Sequence, residues 1–160
     1  MTRLRTVVLA VALLALTSAP AWADITGFIG VNTTPANRVL QGGAISVSLL
    51  AFGFEGEYAR TTADDVAGAP SLQTGMGNGF VQNPIPLMGI TFYGTVGGGI
   101  FKEELGTAST TSVGMNTGGG AKIEVVSHVM LRIDYRVFKL LGSPKNPTPK
   151  RLYIGLSLAL

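Results

Sequence analysis

Cysteine is absent from this 160-residue sequence, and histidine occurs only once. Without cysteine the chain can form neither a disulfide bond nor a cysteine-based metal site, so its fold must be stabilised in another way. Charged residues are scarce as well, at 13% of the chain against about 25% in an average soluble protein. Because the mean hydropathy is also positive, at +0.39, this composition is unusual for a soluble domain.

A long N-terminal hydrophobic run is missing too. Residues 7–16 are apolar and follow Arg3 and Arg5. As a helix they would reach about half of the ~30 Å hydrocarbon core, so this run is too short to cross a bilayer. A basic start followed by a short apolar run is the layout of a secretory signal peptide.

The signal segment ends in small residues, because Ala21 and Ala23 have the spacing that a signal peptidase reads. We therefore predict a cleavable signal peptide over residues 1–23 and one mature domain over residues 24–160. The alternative, an uncleaved anchor, would need a longer apolar stretch. Cleavage removes two of the arginines and leaves a nearly neutral chain, so no nucleic-acid partner is indicated.

Beyond the signal segment, apolar residues alternate with small or polar ones at a period of two, which is the pattern of a β-strand with two different faces. In residues 52–59, for example, Phe54 and Tyr58 share one face, and Glu55 and Glu57 share the other. Breaks rich in glycine, proline and serine separate such segments. The pattern predicts eight strands, over residues 25–32, 44–49, 52–59, 72–82, 89–102, 118–125, 129–140 and 151–160.

The connections alternate between short turns and longer loops, the longer ones including residues 61–71, 105–116 and 142–150. An even number of strands with this alternation is typical of outer-membrane barrels. We therefore predict an all-β fold, an eight-stranded antiparallel up-and-down transmembrane β-barrel with its bulky apolar face toward lipid. A soluble sheet with the apolar face inside stays open as an alternative, but it needs a larger core than this chain can easily build.

Seven charged residues fall on the same strand face as the glycines and serines. The interior of an eight-stranded barrel is just wide enough to be filled by side chains. Because the seven charges nearly cancel, we expect them to form an ion-pair network that plugs the lumen. They are Glu55, Glu57, Lys122, Glu124, Arg132, Asp134 and Arg136.

No catalytic, cofactor or metal site is predicted. His128 follows Ser127, but adjacent residues of a strand point to opposite faces, so we expect no nucleophile–base pair and place both in a periplasmic turn. The glycine clusters 97–99 and 118–120 match neither phosphate-binding fingerprint. Glycines within strands more often mark tight bends or a crowded lumen.

Two stretches resemble the small outer-membrane β-barrel proteins, the group that includes the membrane domain of outer membrane protein A. Residues 118–124 and 132–136 are similar to its sixth and seventh strands. The C-terminus is similar to the signal read by the barrel-assembly machinery, although Leu160 stands where the family usually has an aromatic residue. The residues that match this signal are Tyr153, Gly155, Leu158 and Leu160.

The resemblance implies a bacterial outer-membrane location and identifies a fold better than an activity. We expect a monomeric, non-enzymatic barrel with a structural or surface-interaction role, whose loops contact an unidentified extracellular ligand. Its other partners would be outer-membrane lipid and, during biogenesis, the barrel-assembly machinery. Two alternatives remain: a soluble periplasmic lipid-binding barrel, and a lipid-modifying barrel enzyme, which would require His128 at the outer rim.

Overall fold

The computed structural model describes residues 21–160, which form eight β-strands. Most of the predicted signal peptide therefore lies outside the described residues, and its cleavage stays a prediction. Within residues 21–160 there is no helix long and apolar enough to cross a membrane. The strands are β1 (Ala21–Asn32), β2 (Arg38–Leu49), β3 (Phe52–Thr61), β4 (Ser71–Gln82), β5 (Ile90–Leu105), β6 (Ala108–Val126), β7 (Val129–Leu140) and β8 (Lys150–Ala159).

The strands close into a barrel in which each one pairs antiparallel with the next, and β1 pairs with β8. The predicted fold class, an eight-stranded antiparallel up-and-down β-barrel, is confirmed. The ladder between β1 and β8 begins at the pair Asp24↔Ala159 and ends at Asn32↔Arg151. This closing seam lies wholly within the predicted mature chain, so removal of residues 1–23 would shorten β1 without breaking it.

The two faces of the strands differ as the alternation predicts. In β3, for instance, Phe54 is 78% exposed on the outside, whereas its neighbour Glu55 is 5% exposed on the inside. The side chains that point outward are mainly apolar, including Ile45 and Leu156. Those that point inward are mainly polar or aromatic.

The prediction of a loop over residues 105–116 is wrong. β5 continues to Leu105, β6 begins at Ala108, and only Gly106 and Thr107 form the turn. The segment between residues 108 and 116 contains three β-branched residues, Thr110, Thr111 and Val113, which favour strands, and it pairs with β5 in continuous register. Because β6 pairs with β7 only from Gly114 onward, the tip of this hairpin projects beyond the barrel.

The two ends of the barrel differ. One end, called here the terminal end, holds the start of β1, the end of β8 and the connections 50–51, 83–89 and 127–128. The other, called the loop end, holds the connections 33–37, 62–70 and 141–149 together with the projecting hairpin. In outer-membrane barrels the shorter connections face the periplasm.

Candidate functional site

The lumen of the barrel is filled by a cluster of inward-facing charged side chains. On β7, Arg132, Asp134 and Arg136 point inward because they are two residues apart. Arg132 Nη1 lies 2.5 Å from Glu55 Oε2 on β3, and its Nη2 lies 3.1 Å from Asp134 Oδ2. Arg136 Nη2 binds the other oxygen, Glu55 Oε1, at 2.7 Å. Two arginines thus share one carboxylate across the barrel.

A second set of ion pairs continues this cluster toward the loop end. Arg136 Nη1 lies 3.0 Å from Glu57 Oε2, and Arg151 Nη1 lies 2.9 Å from Glu57 Oε1. Arg151 on β8 also donates from Nη2 to Thr74 Oγ1 on β4 at 2.9 Å. The cluster therefore connects four strands. We call its six charged members the lumen network: Glu55, Glu57, Arg132, Asp134, Arg136 and Arg151.

Two tyrosines complete the hydrogen bonding of the lumen network. Tyr93 accepts a hydrogen bond from Arg132 Nε at 2.7 Å and donates its hydroxyl hydrogen to Asp134. Tyr153 accepts from Arg136 Nη2 at 3.3 Å. The ring of Tyr153 stacks on Phe28, with 4.1 Å between the ring centroids. These rings fix the planes of the guanidinium groups and fill the space around them.

The lumen network is balanced, because three arginines face three carboxylates. Removing a single charge from water costs several kcal/mol, and only a well-matched, hydrogen-bonded partner offsets that cost. All six members are at most 5% exposed, and the arginines are among the largest fully buried side chains. Their packing across the barrel makes the network a plug rather than the lining of an open channel.

A separate ion pair lies nearer the terminal end. Lys122 Nζ on β6 is 2.5 Å from Asp24 Oδ2 on β1. The ammonium group also lies over the ring of Phe80, 5.6 Å from its centroid. Both charged side chains are largely buried, so the cost of removing each charge from water is offset by the other.

Three of the loop-end connections are tied together by hydrogen bonds. The buried Arg38 donates to the carbonyl oxygen of Thr34 at 3.1 Å, of Thr62 at 3.3 Å, and of Pro70. The backbone nitrogen of Lys145, in the connection 141–149, donates to Glu103 Oε2 at 3.0 Å. These contacts order the loop end over the barrel.

Six of the seven predicted lumen charges point inward and are buried. Five of these belong to the lumen network, and Lys122 forms the separate pair with Asp24. Glu124 is different, because it is exposed at the mouth of the terminal end. The six buried positions are Glu55, Glu57, Lys122, Arg132, Asp134 and Arg136.

Sequence reasoning missed several polar residues of the lumen, among them Arg151, Asp24, Tyr93 and Tyr153. Arg151 lies two residues before Tyr153 in the predicted eighth strand, so alternation alone places its side chain on the same inward face. Asp24 likewise shares a face with Thr26, but it stands at the predicted cleavage site. Tyr93 and Tyr153 were not recognised as hydrogen-bond partners, since tyrosine is common on either face of a membrane barrel.

The turn predicted at Ser127 and His128 is present, but the expectation that their side chains cannot meet is wrong. They form the two-residue turn between β6 and β7, where His128 has φ of +70° and the strand rule of opposite faces does not apply. Ser127 Oγ lies 2.8 Å from His128 Nδ1. Both residues are exposed at the terminal end, and within residues 21–160 no carboxylate is hydrogen-bonded to the imidazole.

The residues of the predicted assembly signal lie on both faces of β8. Tyr153 and Gly155 face the lumen, Leu158 faces outward, and Leu160 follows the end of the strand. A β-carbon at Gly155 would lie 2.9 Å from Phe28 Cβ, so glycine is needed here for packing of the seam. Recognition of this segment by an assembly machinery stays a prediction.

The part of the chain that the structure describes holds no group of three or more His, Asp or Glu side chains arranged to bind a metal ion. A cavity of about 480 Å³ opens at the terminal end, beside the Lys122–Asp24 pair and His128. Its polar groups comprise carboxylates, an ammonium and a Ser–His pair without an orienting acid, which do not make a complete hydrolytic triad.

No protein-family model matches the chain, and no curated protein matches it in sequence. Solved structures with the same fold are nevertheless known. The chain is similar to the N-terminal β-barrel domain of OprF from Pseudomonas aeruginosa, with a TM-score of 0.63 at 14% identity over 86% of this chain and 97% of that one. It is similar to Neisserial surface protein A (NspA), with a TM-score of 0.64 at 15% identity over 86% and 94%.

A third similar structure is that of the outer membrane enzyme PagL, with a TM-score of 0.55 at 8% identity over 84% of this chain and 98% of that one. At these identities the likeness concerns the fold. The class is thus defined: the chain has the fold of the small eight-stranded outer-membrane β-barrels, and the resemblance predicted from its sequence is confirmed at that level.

Proposed function

We propose that the protein is a monomeric, non-enzymatic barrel of the bacterial outer membrane, plugged by its lumen network, with the loop end facing the exterior. The observation that carries this proposal is the distribution of charge on the outside of the barrel. Within residues 22–160, the charged side chains that point outward from the strands lie near the loop end. They are Arg60, Lys102, Glu104, Lys139 and Lys150.

From that level down to the terminal end, the outward face carries mainly apolar side chains and glycines, and no charged one among the described residues. Phe54, Ile45 and Leu156 are more than half exposed there. An exposed apolar band of this size on a monomer indicates a nonpolar surrounding, and a band around a closed barrel fits a bilayer.

The soluble periplasmic lipid-binding alternative is less well supported. Such a barrel keeps its apolar residues inside, around a cavity for the lipid. Here ion pairs occupy the middle of the lumen, and most of the large apolar residues lie outside, although two small apolar clusters lie inside.

The lipid-modifying alternative depended on His128 at the outer rim. His128 lies at the terminal end, with the start of β1 and the end of β8, and its partner Ser127 is exposed to solvent. The loop-end connections, which would meet the exterior, carry no histidine. We therefore propose a structural or surface-interaction role, with an extracellular ligand bound at the loop end and the assembly machinery needed only for insertion.

Fractionation of expressing bacterial cells tests this proposal. We expect the protein in the outer-membrane fraction, extracted only with detergent, and migrating differently on a gel before and after boiling. Mature protein beginning at Asp24 would support the predicted signal cleavage, and N-terminal sequencing of the same band measures it. Recovery in the soluble periplasm without detergent would contradict the proposal.

A further inference from the structure

The outer surface of β1–β4 carries a groove that the lumen plug does not explain. It is shallow and open to the surroundings, with a volume of about 550 Å³. The floor consists of Gly43, Gly56 and Gly75, and the walls include Ile45 and Tyr58. These residues face outward, into the apolar band.

The internal packing of the barrel does not require these glycines. A β-carbon added at Gly56 would meet no atom within 4 Å, and one added at Gly75 would come no closer than 3.8 Å to Ile100. The same holds for Gly77, the neighbour of Gly56 on β4, where the nearest atom would be 3.9 Å away. At Gly43 the nearest atom, the carbonyl oxygen of Thr26, would lie 3.4 Å away, at the short end of ordinary van der Waals contact. The groove is therefore a surface feature, open to whatever lies against the barrel.

A polar row borders the groove on the side of the loop end. Cross-strand pairing aligns Gln41 with Arg60, Arg60 with Gln73, and Gln73 with Lys102, one row above Tyr58 and Gly75. Adjacent strands lie about 4.8 Å apart, so the two cations stand roughly 10 Å from each other across β4.

The members of this polar row present hydrogen-bond donors. Tyr58 donates to Gln73 Oε1 at 3.2 Å, which leaves the amide nitrogen of Gln73 as a donor. Lys102 Nζ lies 2.6 Å from Glu104 Oε1, the one carboxylate beside the row. The salt bridges among residues 21–160 do not include Arg60, and the row with Glu104 keeps a net positive charge.

From this juxtaposition we infer that the groove and the polar row together bind one phosphorylated lipid of the surrounding leaflet. Its phosphate lies on Arg60, Gln73 and Lys102, and an acyl chain lies along the glycine floor. The charge is complementary, because guanidinium and ammonium groups are preferred phosphate ligands. A second copy of the chain fits less well, since a twofold contact through this face would bring two cationic rows together.

This inference rests on the proposed membrane location and names one lipid site within it.

The opposite side of the barrel near the loop end offers a matched comparison. Lys139 and Lys150 also point outward near the loop end, on β7 and β8, but Val137, Tyr135 and Leu152 lie beneath them instead of glycines.

The test is native mass spectrometry of the detergent-purified barrel, titrated with dioleoyl phosphatidylglycerol and, separately, with dioleoylglycerol, which has the same chains and no phosphate. We expect one phosphatidylglycerol bound per monomer and no saturable binding of dioleoylglycerol. The double variant Arg60→Gln/Lys102→Gln should bind phosphatidylglycerol roughly thirtyfold more weakly, at the usual contribution of two basic residues near an anionic lipid. Gly56→Val/Gly75→Val, which adds side chains on the glycine floor, should weaken the binding of phosphatidylglycerol as well.

The control variants are Lys139→Gln/Lys150→Gln for charge and Gly94→Val for an outward glycine outside the groove. The site is supported if both control variants bind phosphatidylglycerol like the wild type while Arg60→Gln/Lys102→Gln and the glycine-floor variant bind it more weakly. The site would be overturned if Arg60→Gln/Lys102→Gln and Lys139→Gln/Lys150→Gln lost equal affinity, or if neither lost any. A dimer that disappears in the groove variants would overturn the lipid site in favour of a second copy of the chain.

The lipid site and the proposed function can fail separately. Recovery of the protein without detergent would contradict both, whereas a barrel that needs detergent for extraction but binds no lipid would contradict the lipid site alone.

Discussion

At the scale of single residues, the arginines of the lumen network are the positions at which the structure is most sensitive. Arg132 and Arg136 both bind Glu55, and both contact Asp134. Replacing either one leaves buried carboxylates short of a positive charge, which typically costs about 3–5 kcal/mol.

We therefore expect Arg132→Ala and Arg136→Ala each to lower the temperature at which the barrel unfolds in detergent. The measurement is the loss of the heat-shifted band during a temperature series. Lys139→Ala, on the outward face, serves as the control and should leave the melting temperature unchanged. If both lumen variants have the same melting temperature as the wild type, the lumen network does not stabilise the barrel.

The pair Lys122–Asp24 allows a cleaner experiment, because it stands apart from the lumen network. Lys122→Met alone should destabilise the barrel, since Asp24 is then left buried with a negative charge. Adding Asp24→Asn should recover part of the loss, because the unpaired charge is removed. The same melting assay measures the three proteins. A double variant less stable than Lys122→Met would show that the aspartate has another role.

At the scale of elements, the seam between β1 and β8 depends on close packing at one glycine. A β-carbon at Gly155 would lie 2.8 Å from the carbonyl oxygen of Gly27 and 2.9 Å from Phe28 Cβ. Both contacts are shorter than real β-carbons make, so the strands or the Phe28 ring would have to move.

Gly155→Val should therefore reduce the fraction of chain that closes into a barrel. Refolding into detergent micelles, followed by gels of unboiled samples, measures that fraction. Gly27→Val is the matched control on the same seam, because its side chain would point outward and meet no atom within 4 Å. Equal folding of the two variants would mean that the seam tolerates the clash.

The elements also indicate what sequence reasoning could and could not predict. The alternation of apolar and polar residues predicted correctly those strands whose two faces differ strongly, such as β3 and β7. In these strands every second side chain points into a narrow lumen. Alternation failed between residues 105 and 116, because residues 108–113 at the start of β6 are mostly exposed on both faces and show no alternation of apolar and polar residues. The lipid groove was equally hidden, because it depends on cross-strand register, which a single sequence does not specify.

At the scale of the whole molecule, the filled lumen predicts very little conductance. An eight-stranded barrel leaves no open passage once its interior is packed, and here buried guanidinium groups and tyrosines span the interior. In planar bilayers we expect the wild-type protein to give no porin-like steps. Glu57→Ala/Arg136→Ala, which removes a linked pair near the middle, should raise the conductance. Large steady channels in the wild type would contradict a plugged barrel.

The partners in the lumen network come from distant parts of the chain. Glu55 and Glu57 bind arginines that follow them by 77 to 94 positions. On the proposed route to the outer membrane, an unfolded chain would carry these charges hydrated and without partners, and hydrated charges favour solubility. The arginines lie on β7 and β8, so the charges of Glu55 and Glu57 would be neutralised only when these two strands join the barrel.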